Sequence, residues 1–349
     1  MADVDCRIEG RLGRIHLNRP KALNALTRPI VQAVGAQLSA WKDDPAVTAV
    51  LVTGEGERAF CAGGDVRDMV RRGREEGVDA VMPFFHDEYR MNWRIKRFPK
   101  PYIAVLDGVT MGGGFGISVH GSHRLATEST VFAMPETAIG MFPDVGGTYV
   151  LGRMPGGLGL WLALTGHRLG PADTVAAGIA TGFVPRARLG ELEDQLRGAA
   201  DEGAVAAALA AVAGEGGNGE IAAHRRVIDA VFDAPSVAAI GDRALNEPTR
   251  WGAEQWKRIT ARSPTSVKLA FAQLRRGRGL GFDEAMRLEY RIVRRILEGH
   301  DVSERVRAVL IDKDHAPRWD PPTLEEVDDA AIEAHFAPLP AGDLPLDWR

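Results

Sequence analysis

The 349-residue sequence has little cysteine, since Cys6 and Cys61 are its only two. Two thiols so far apart in a long chain exclude the dense disulfide framework of small secreted domains and favour a reducing compartment. The N-terminal residues are acidic and lack the basic start and apolar segment of a secretory signal peptide. The sequence therefore predicts a cytoplasmic protein.

Positive charge is not in excess, and long apolar runs are lacking. The 43 Lys and Arg residues face 47 Asp and Glu residues, which gives a formal net charge of −4. Such a chain has no overall positive field to hold a nucleic-acid backbone. The longest mostly apolar stretch, 104–119, contains Asp107 and five glycines, so we expect no membrane span. Nucleic acid and membrane are thus excluded as expected partners.

Two local clusters of arginine, 67–74 and 275–278, are exceptions to this charge balance. Either cluster could meet a phosphate group. A solvated helix face produces such runs more often, so neither cluster by itself indicates a binding site.

The remaining composition, 45% hydrophobic and 26% charged residues, is that of an ordinary globular protein with a sizeable core. Short β-branched segments at 6–17 and 47–54 flank a stretch of helical periodicity at 26–41. Further strands are predicted at 102–106 and at 124–126 with 130–133. This alternation predicts an α/β fold with at least some parallel strand pairing.

The character of the sequence changes after Pro185. The chain becomes rich in alanine and charge with helical periodicity, and the tail from Pro317 carries six prolines. We therefore predict two regions, a core with the active site at 1–185 and a helical C-terminal region at 186–349, with an extended tail that lacks regular structure.

Two glycine turns follow predicted strands and precede predicted helices. They are Ala62-Gly63-Gly64-Asp65 and Gly112-Gly113-Gly114. Unpaired N–H groups at such turns favour negative charge, and two that converge would form an oxyanion hole. Close packing of a strand against a helix also selects glycine, so each turn alone is weak support.

Two acidic residues, Glu136 and Asp144, are separated by Gly140 and Pro143, which prevent a single regular helix between them. A bent chain can bring the two carboxylates together, one as base or nucleophile and the other as proton carrier. The alternative is a helix-capping Glu136 and a turn residue Asp144. Glu88 lies in an aromatic helical segment, where it either faces solvent or lines a pocket.

Other catalytic motifs fit poorly. The chain has no G-x-x-x-x-G-K-[ST] phosphate loop, and its glycines at 112, 114 and 116 are not spaced as G-x-G-x-x-G. The segment 116–120 misses the G-x-S-x-G nucleophile motif at its last residue. His120 and His123 have no third ligand at a suitable spacing, so we predict no metal site.

The glycine turns and the acidic segment together resemble the enoyl-CoA hydratase/isomerase (crotonase) superfamily, and within it the thioester-hydrolase branch. The motifs that carry the resemblance are Ala59–Asp65, Gly108–Gly121, Phe132–Gly147, Leu162–Gly166 and Val306–Asp314. The resemblance covers nearly the whole chain. It implies a spiral of ββα repeats, followed by a helical C-terminal region that often mediates self-association.

The same resemblance implies a chemistry and a set of site residues. The substrate would be a short branched 3-hydroxyacyl-CoA thioester, with 3-hydroxyisobutyryl-CoA of valine breakdown as the first candidate, and coenzyme A would enter only as part of it, with no separate cofactor. The N–H groups of Gly64 and Gly113 would hold the thioester oxygen. Glu136 and Asp144 would be the catalytic acids. Further substrate contacts are expected from Glu88, Ala62, Asp65 and Gly112.

One departure from the hydratases points to hydrolysis. Hydratases of this superfamily carry a glutamate where this chain has Gly116, and they commonly have a small residue where it has Asp144. A hydratase or isomerase that uses Glu136 alone remains an alternative. A second alternative, from another functional class, is a non-catalytic acyl-CoA-binding protein of the same fold.

Overall fold

The fold is built from nine strands and sixteen α-helices in a computed structural model that describes residues 2–348. The strands are β1 (Val4–Glu9), β2 (Leu12–Leu17), β3 (Ala49–Gly54), β4 (Ala59–Cys61), β5 (Tyr102–Leu106), β6 (Val109–Met111), β7 (His123–Ala126), β8 (Val131–Ala133) and β9 (Gly182–Phe183). The helices of the first half are α1 (Arg28–Trp41), α2 (Val66–Glu76), α3 (Val78–Lys96), α4 (Gly113–Val119), α5 (Gly147–Leu151), α6 (Leu158–Thr165) and α7 (Pro171–Ala176).

The strands form two sheets in a repeating pattern. The larger sheet has the order β1-β2-β3-β5-β7-β9, with β1 antiparallel to β2 and all other pairs parallel. The smaller sheet is parallel and has the order β4-β6-β8. In each of the pairs β3–β4, β5–β6 and β7–β8, the first strand enters the larger sheet and the second enters the smaller one. This arrangement confirms the predicted spiral of ββα units.

The larger sheet is covered on both faces, which explains why its inner strands read as continuous apolar runs. In β3, Val50 and Val52 join the main hydrophobic core, whereas Ala49 and Leu51 point to a second cluster on the opposite face. That second cluster is completed by apolar side chains of helices at 189–212, so residues beyond 185 pack directly on the sheet.

The chain beyond Pro185 is helical, as predicted. Its helices are α8 (Leu189–Gly198), α9 (Glu202–Val212), α10 (Ile221–Phe232), α11 (Val237–Leu245), α12 (Trp251–Thr260), α13 (Pro264–Gly277), α14 (Phe282–Ile296), α15 (Asp301–Val306) and α16 (Asp329–Ala334). A π-helical turn, Arg307–Ile311, follows α15. The division into two regions at 185 stays a prediction, because one hydrophobic core includes side chains from both.

Two local predictions are wrong. The segment 6–17 is a hairpin of two strands, because Gly10 turns the chain at φ +62°, where Arg197 O would lie 2.4 Å from a Cβ at this position. The tail contains one short helix, α16. Asp328 caps it by accepting a hydrogen bond from Ala330 N, and Ile332 anchors it in the core.

Within residues 2–348, no helix combines the length and the apolar character that crossing a bilayer requires.

Candidate active site

A cavity of about 300 Å³ opens where the two glycine turns meet the helices α2, α3 and α15. Its walls are mostly apolar, and its polar lining includes three carboxylates. These are Glu88, Glu136 and Asp144. A concave apolar site with a few convergent polar groups is typical of small-molecule binding.

The first glycine turn is held open by its neighbours. Leu26 N donates to Gly63 O at 2.8 Å, and Asp65 N donates to Leu26 O at 2.9 Å. These two bonds fix the turn on either side of Gly64, whose own N–H has no acceptor among residues 2–348. Gly64 lines the cavity, so this N–H is available for a ligand oxygen.

The second glycine turn reaches the same cavity. Gly112 has φ +50° and ψ −119°, a conformation that requires glycine, and it precedes the first residue of α4, Gly113. The N–H of Gly113 also has no acceptor among the described residues. A Cβ placed on Gly63 would lie 3.6 Å from Gly113 N, so the two turns are in close contact. The structure therefore brings the two predicted oxyanion donors together.

Glu136 begins a short 3₁₀-helix, Glu136–Ile139, between Pro135 and Gly140. Its side chain is buried, and its Oε2 has no hydrogen-bond partner among the described residues. Oε1 would lie 3.3 Å from a Cβ on Gly112, which explains why that turn has no side chain. Burial raises the pKa of Glu136 well above its usual range, and the charge of Asp144 raises it further.

Asp144 lies in a loop that is held from several sides. Val145 has a φ of +50°, and its carbonyl accepts a hydrogen bond from His120 Nε2 at 2.7 Å. Burial lowers the pKa of His120 to about 3, so its ring is neutral and serves as a donor to this loop. The Glu289 carboxylate, on α14, accepts from Gly146 N at 2.7 Å.

The Asp144 carboxylate itself is buried against α3. Tyr89 donates its hydroxyl to Asp144 Oδ2 at 2.8 Å. Burial raises the pKa of Asp144 to about 6, although the hydrogen bond from Tyr89 acts in the opposite direction. Burial and the Tyr89 hydroxyl thus act in opposite directions on the charge of Asp144.

Glu88 is buried in the cavity wall and does not face solvent. Its Oε1 has no partner among the described residues and would lie 2.7 Å from a Cβ on Gly113. Burial raises its pKa well above the usual range, and the charge of Asp144 adds to this effect. Because three buried carboxylates share one cavity, they cannot all be ionised together.

The remaining predicted contacts fall into two groups. Ala62 and Gly112 line the cavity. Asp65 lies outside it: its carboxylate accepts from Asp68 N at the start of α2 and pairs with Arg19 Nη2 at 3.0 Å. Capping and this ion pair account for Asp65, whose contact with substrate stays a prediction.

Comparison with known protein families identifies the family of this chain. The family model described as enoyl-CoA hydratase/isomerase matches residues 12–336. The chain belongs to this family. Two solved structures have the same fold over nearly their full length. A carnitinyl-CoA dehydratase from Mycobacterium thermoresistibile is 40% identical with a TM-score of 0.92, covering 97% of this chain and 98% of that one. An enoyl-CoA hydratase from Rhodobacter sphaeroides is 40% identical with a TM-score of 0.91, covering 99% of this chain and 100% of that one.

The curated relatives of this chain have a name that differs from those of the two solved structures. The Gallus gallus protein, "3-hydroxyisobutyryl-CoA hydrolase, mitochondrial", is 43% identical over 99% of this chain and 91% of its own length. The Homo sapiens protein with the same name is 42% identical over 96% of this chain and 89% of its own length. The family therefore includes similar proteins named for different reactions. The residues of the site must indicate which of these reactions applies to this chain.

Position 116 has little room for a side chain in this family member. A Cβ on Gly116 would lie 2.7 Å from Val145 Cβ and 2.8 Å from Asn92 Nδ2. Contacts under 3 Å leave no room for even an alanine side chain without movement. The second carboxylate that the resemblance assigns to hydratases at this position is therefore excluded by packing.

Two side chains of the site were not predicted from the sequence. Tyr89 directly follows Glu88, and the aromatic helical segment was the only signal that it lies near the site. Glu289 is 143 residues away from the loop that it holds. No sequence spacing connects these two parts of the chain.

Proposed function

We propose that this protein hydrolyses a short branched 3-hydroxyacyl-CoA thioester, with 3-hydroxyisobutyryl-CoA as the first substrate to test. Water is added to the acyl carbonyl and the C–S bond breaks, which gives the 3-hydroxy acid and coenzyme A. The observation that carries the proposal is the pairing of Glu136 with Asp144 beside two unpaired main-chain N–H groups, with Gly116 packed too tightly for a hydratase carboxylate. The names of the curated relatives support the same reaction.

In this proposal the thioester oxygen lies between the N–H groups of Gly64 and Gly113. As negative charge develops on that oxygen, each donor lowers the barrier by about 3 kcal/mol, the value typical of oxyanion holes. Two donors on rigid turns need no reorganisation during the reaction. This polarisation comes from the main chain, so the proposal requires no separate cofactor.

Glu136 is the group proposed to act on the polarised carbonyl. It either attacks the carbon, releasing the CoA thiolate and leaving an anhydride that water cleaves, or it takes a proton from an attacking water. Because burial raises its pKa, the ionised Glu136 is a stronger base than an exposed carboxylate. Asp144 is proposed to bind the substrate 3-hydroxyl and to exchange the proton that the leaving thiolate needs.

The test replaces each acid by its amide. Glu136→Gln and Asp144→Asn are each expected to lower the rate of free-thiol release from 3-hydroxyisobutyryl-CoA by at least about 100-fold. Wild-type rates in both variants would remove the proposed catalytic pair. The same samples are tested for binding of a CoA ester, so that loss of chemistry is separated from loss of the cavity.

The hydratase alternative is supported by the names of the two solved structures. It predicts loss of crotonyl-CoA absorbance without thiol release, whereas hydrolysis predicts thiol release. A non-catalytic acyl-CoA-binding protein would bind the ester and turn over neither substrate. The two buried acids weigh against this second alternative, because burying ionisable groups costs free energy from which a binding protein gains nothing.

Fewer observations support the proposals on self-association and on the cellular compartment. Sedimentation of the purified chain tests for a homo-oligomer. Cys6 and Cys61 are both free thiols, which suits the proposed cytoplasmic location. The curated relatives are named as mitochondrial proteins, which are also kept reduced, so cell fractionation must decide between the two.

A further inference from the structure

We propose that Tyr89 is a positioning residue that holds Asp144 in its catalytic orientation and favours the ionised form of that carboxylate. The proposal deepens the function given above and rests on it, since Asp144 has a role only in the proposed hydrolysis. It assigns a task to a residue that neither the sequence motifs nor the family resemblance identified.

The geometry joins a rigid donor to a loop acceptor. Tyr89 is fully buried in α3, and its ring makes edge contacts with Phe85 at 6.0 Å and with Tyr290 at 6.4 Å between centroids. These contacts fix the direction of its hydroxyl. Asp144 lies on a loop that belongs to neither a helix nor a strand. The hydrogen bond from the rigidly held Tyr89 hydroxyl to Oδ2 therefore fixes the orientation of the Asp144 side chain.

The same bond is the one side-chain hydrogen bond that residues 2–348 provide to the Asp144 carboxylate. The other ionisable groups around this loop are Glu88 on α3, Glu136, Glu289 on α14 and the neutral ring of His120. Three of these are acids, and none is a cation. The Tyr89 O–H is thus the side-chain group that favours charge on Asp144, together with the Asp144 main chain, where burial disfavours it.

Removal of the hydroxyl should change both orientation and charge. Tyr89→Phe keeps the ring, and with it the contacts to Phe85 and Tyr290. Asp144 would then lose its donor while the neighbouring acids remain. Its proton affinity should increase, because burial then acts on the carboxylate without that donor.

The chain offers a matched control. Tyr102 on β5 is also buried, and its hydroxyl donates to Ile117 O at 2.7 Å, outside the cavity. Tyr102→Phe removes an equally buried hydroxyl without touching Asp144. Both variants should lose similar stability, so an effect specific to Tyr89→Phe cannot be ascribed to a weakened fold.

The experiment measures kcat and kcat/KM for thioester hydrolysis against pH in the wild type, Tyr89→Phe, Tyr102→Phe and Asp144→Asn. We expect Tyr89→Phe to lower kcat about tenfold or more. One limb of the pH–rate profile should be absent in Asp144→Asn, and in Tyr89→Phe this limb should move upward by about one pH unit, as for loss of a hydrogen bond to an ionised group. Tyr102→Phe should leave that limb in place. An unmoved limb in Tyr89→Phe would overturn the proposal.

A second measurement does not depend on turnover. Infrared or ¹³C titration of the protein, with Asp144→Asn as the blank, follows the Asp144 carboxyl directly. It should titrate at higher pH in Tyr89→Phe than in the wild type or in Tyr102→Phe, and coincident titrations would refute the role of Tyr89. Absence of thioester hydrolysis in the wild type would contradict the proposed function, and the titration would still decide whether Tyr89 controls the charge.

Discussion

Position 116 shows how a single residue limits the chemistry available to the site. The absence of a side chain lets Val145 and Asn92 pack against α4, and Val145 adjoins the catalytic candidate Asp144. The same absence removes the carboxylate that hydratases of the superfamily would use. Gly116 thus bears on packing and, in the proposed function, on the reaction type.

Gly116→Ala tests this argument by adding one methyl group. We expect a loss of about 1–3 kcal/mol in the free energy of unfolding, as is usual for overpacking, and lower activity because Val145 must move. Gly190→Ala in α8 is the matched control: its Cβ would meet nothing within 4 Å, so we expect a gain of about 0.4–1 kcal/mol. Urea unfolding of both variants measures the difference, and equal effects would contradict it.

Two helices of the first half carry polar side chains in or beside the cavity. α3 presents Glu88 to the cavity, and its Tyr89 donates to the cavity residue Asp144. α2 borders a groove beside the cavity that is lined by Arg67, Arg71 and Lys313, and Arg74 lines both spaces. One of the two arginine clusters thus lies where the phosphates of a bound CoA thioester could reach it.

Arg67→Ala is expected to raise KM for the CoA thioester about twofold to fivefold, the effect of one exposed charge pair, and to leave kcat unchanged. KM for the matching pantetheine thioester, which lacks the nucleotide phosphates, should not change. Arg275→Ala, in the other arginine cluster on α13, is the control and should alter neither value. A change in kcat or equal effects on both thioesters would exclude this assignment.

At the scale of the whole molecule, the C-terminal helices complete the active site. Val302 and Ser303 of α15 line the cavity, and Gly140, just after the helix of Glu136, packs against the backbone of α15. α15 is in turn tied to the following segment by Glu304. Its carboxylate pairs with Arg307 at 2.7 Å and accepts from Arg318 N at 2.7 Å.

Glu304→Gln should lower the free energy of unfolding by about 1 kcal/mol at pH 7, a value that allows for solvent screening. The pKa of Glu304 is lowered to about 2, first by Arg307, so its contribution is complete above the ordinary pKa of about 4.5 and is lost as the pH falls towards 2. The free energies of unfolding of the wild type and of Glu304→Gln should therefore converge in acid. Glu298→Gln, at an exposed pair with Arg294, serves as the control and should change little.

The sequence by itself determined the α/β class and the two glycine turns, because each is a local pattern of strand, turn and helix propensity. Its motifs carried the resemblance that indicated the family, and the predicted roles of Glu136 and Gly113 came from that resemblance. The hairpin at Gly10 and the short helix α16 were missed, since close contact with Arg197 and burial of Ile332 fix them.

Only the tertiary structure decided the surroundings of the acids. Tyr89 meets Asp144 across 55 residues of sequence, and Glu289 meets the backbone of the same loop across 143. Asp65 lies next to the glycine turn in sequence and yet faces Arg19 outside the cavity. Hydrogen bonding and burial, which set the charge of each carboxylate, depend on neighbours in space, and these are fixed by how helices pack on the sheets.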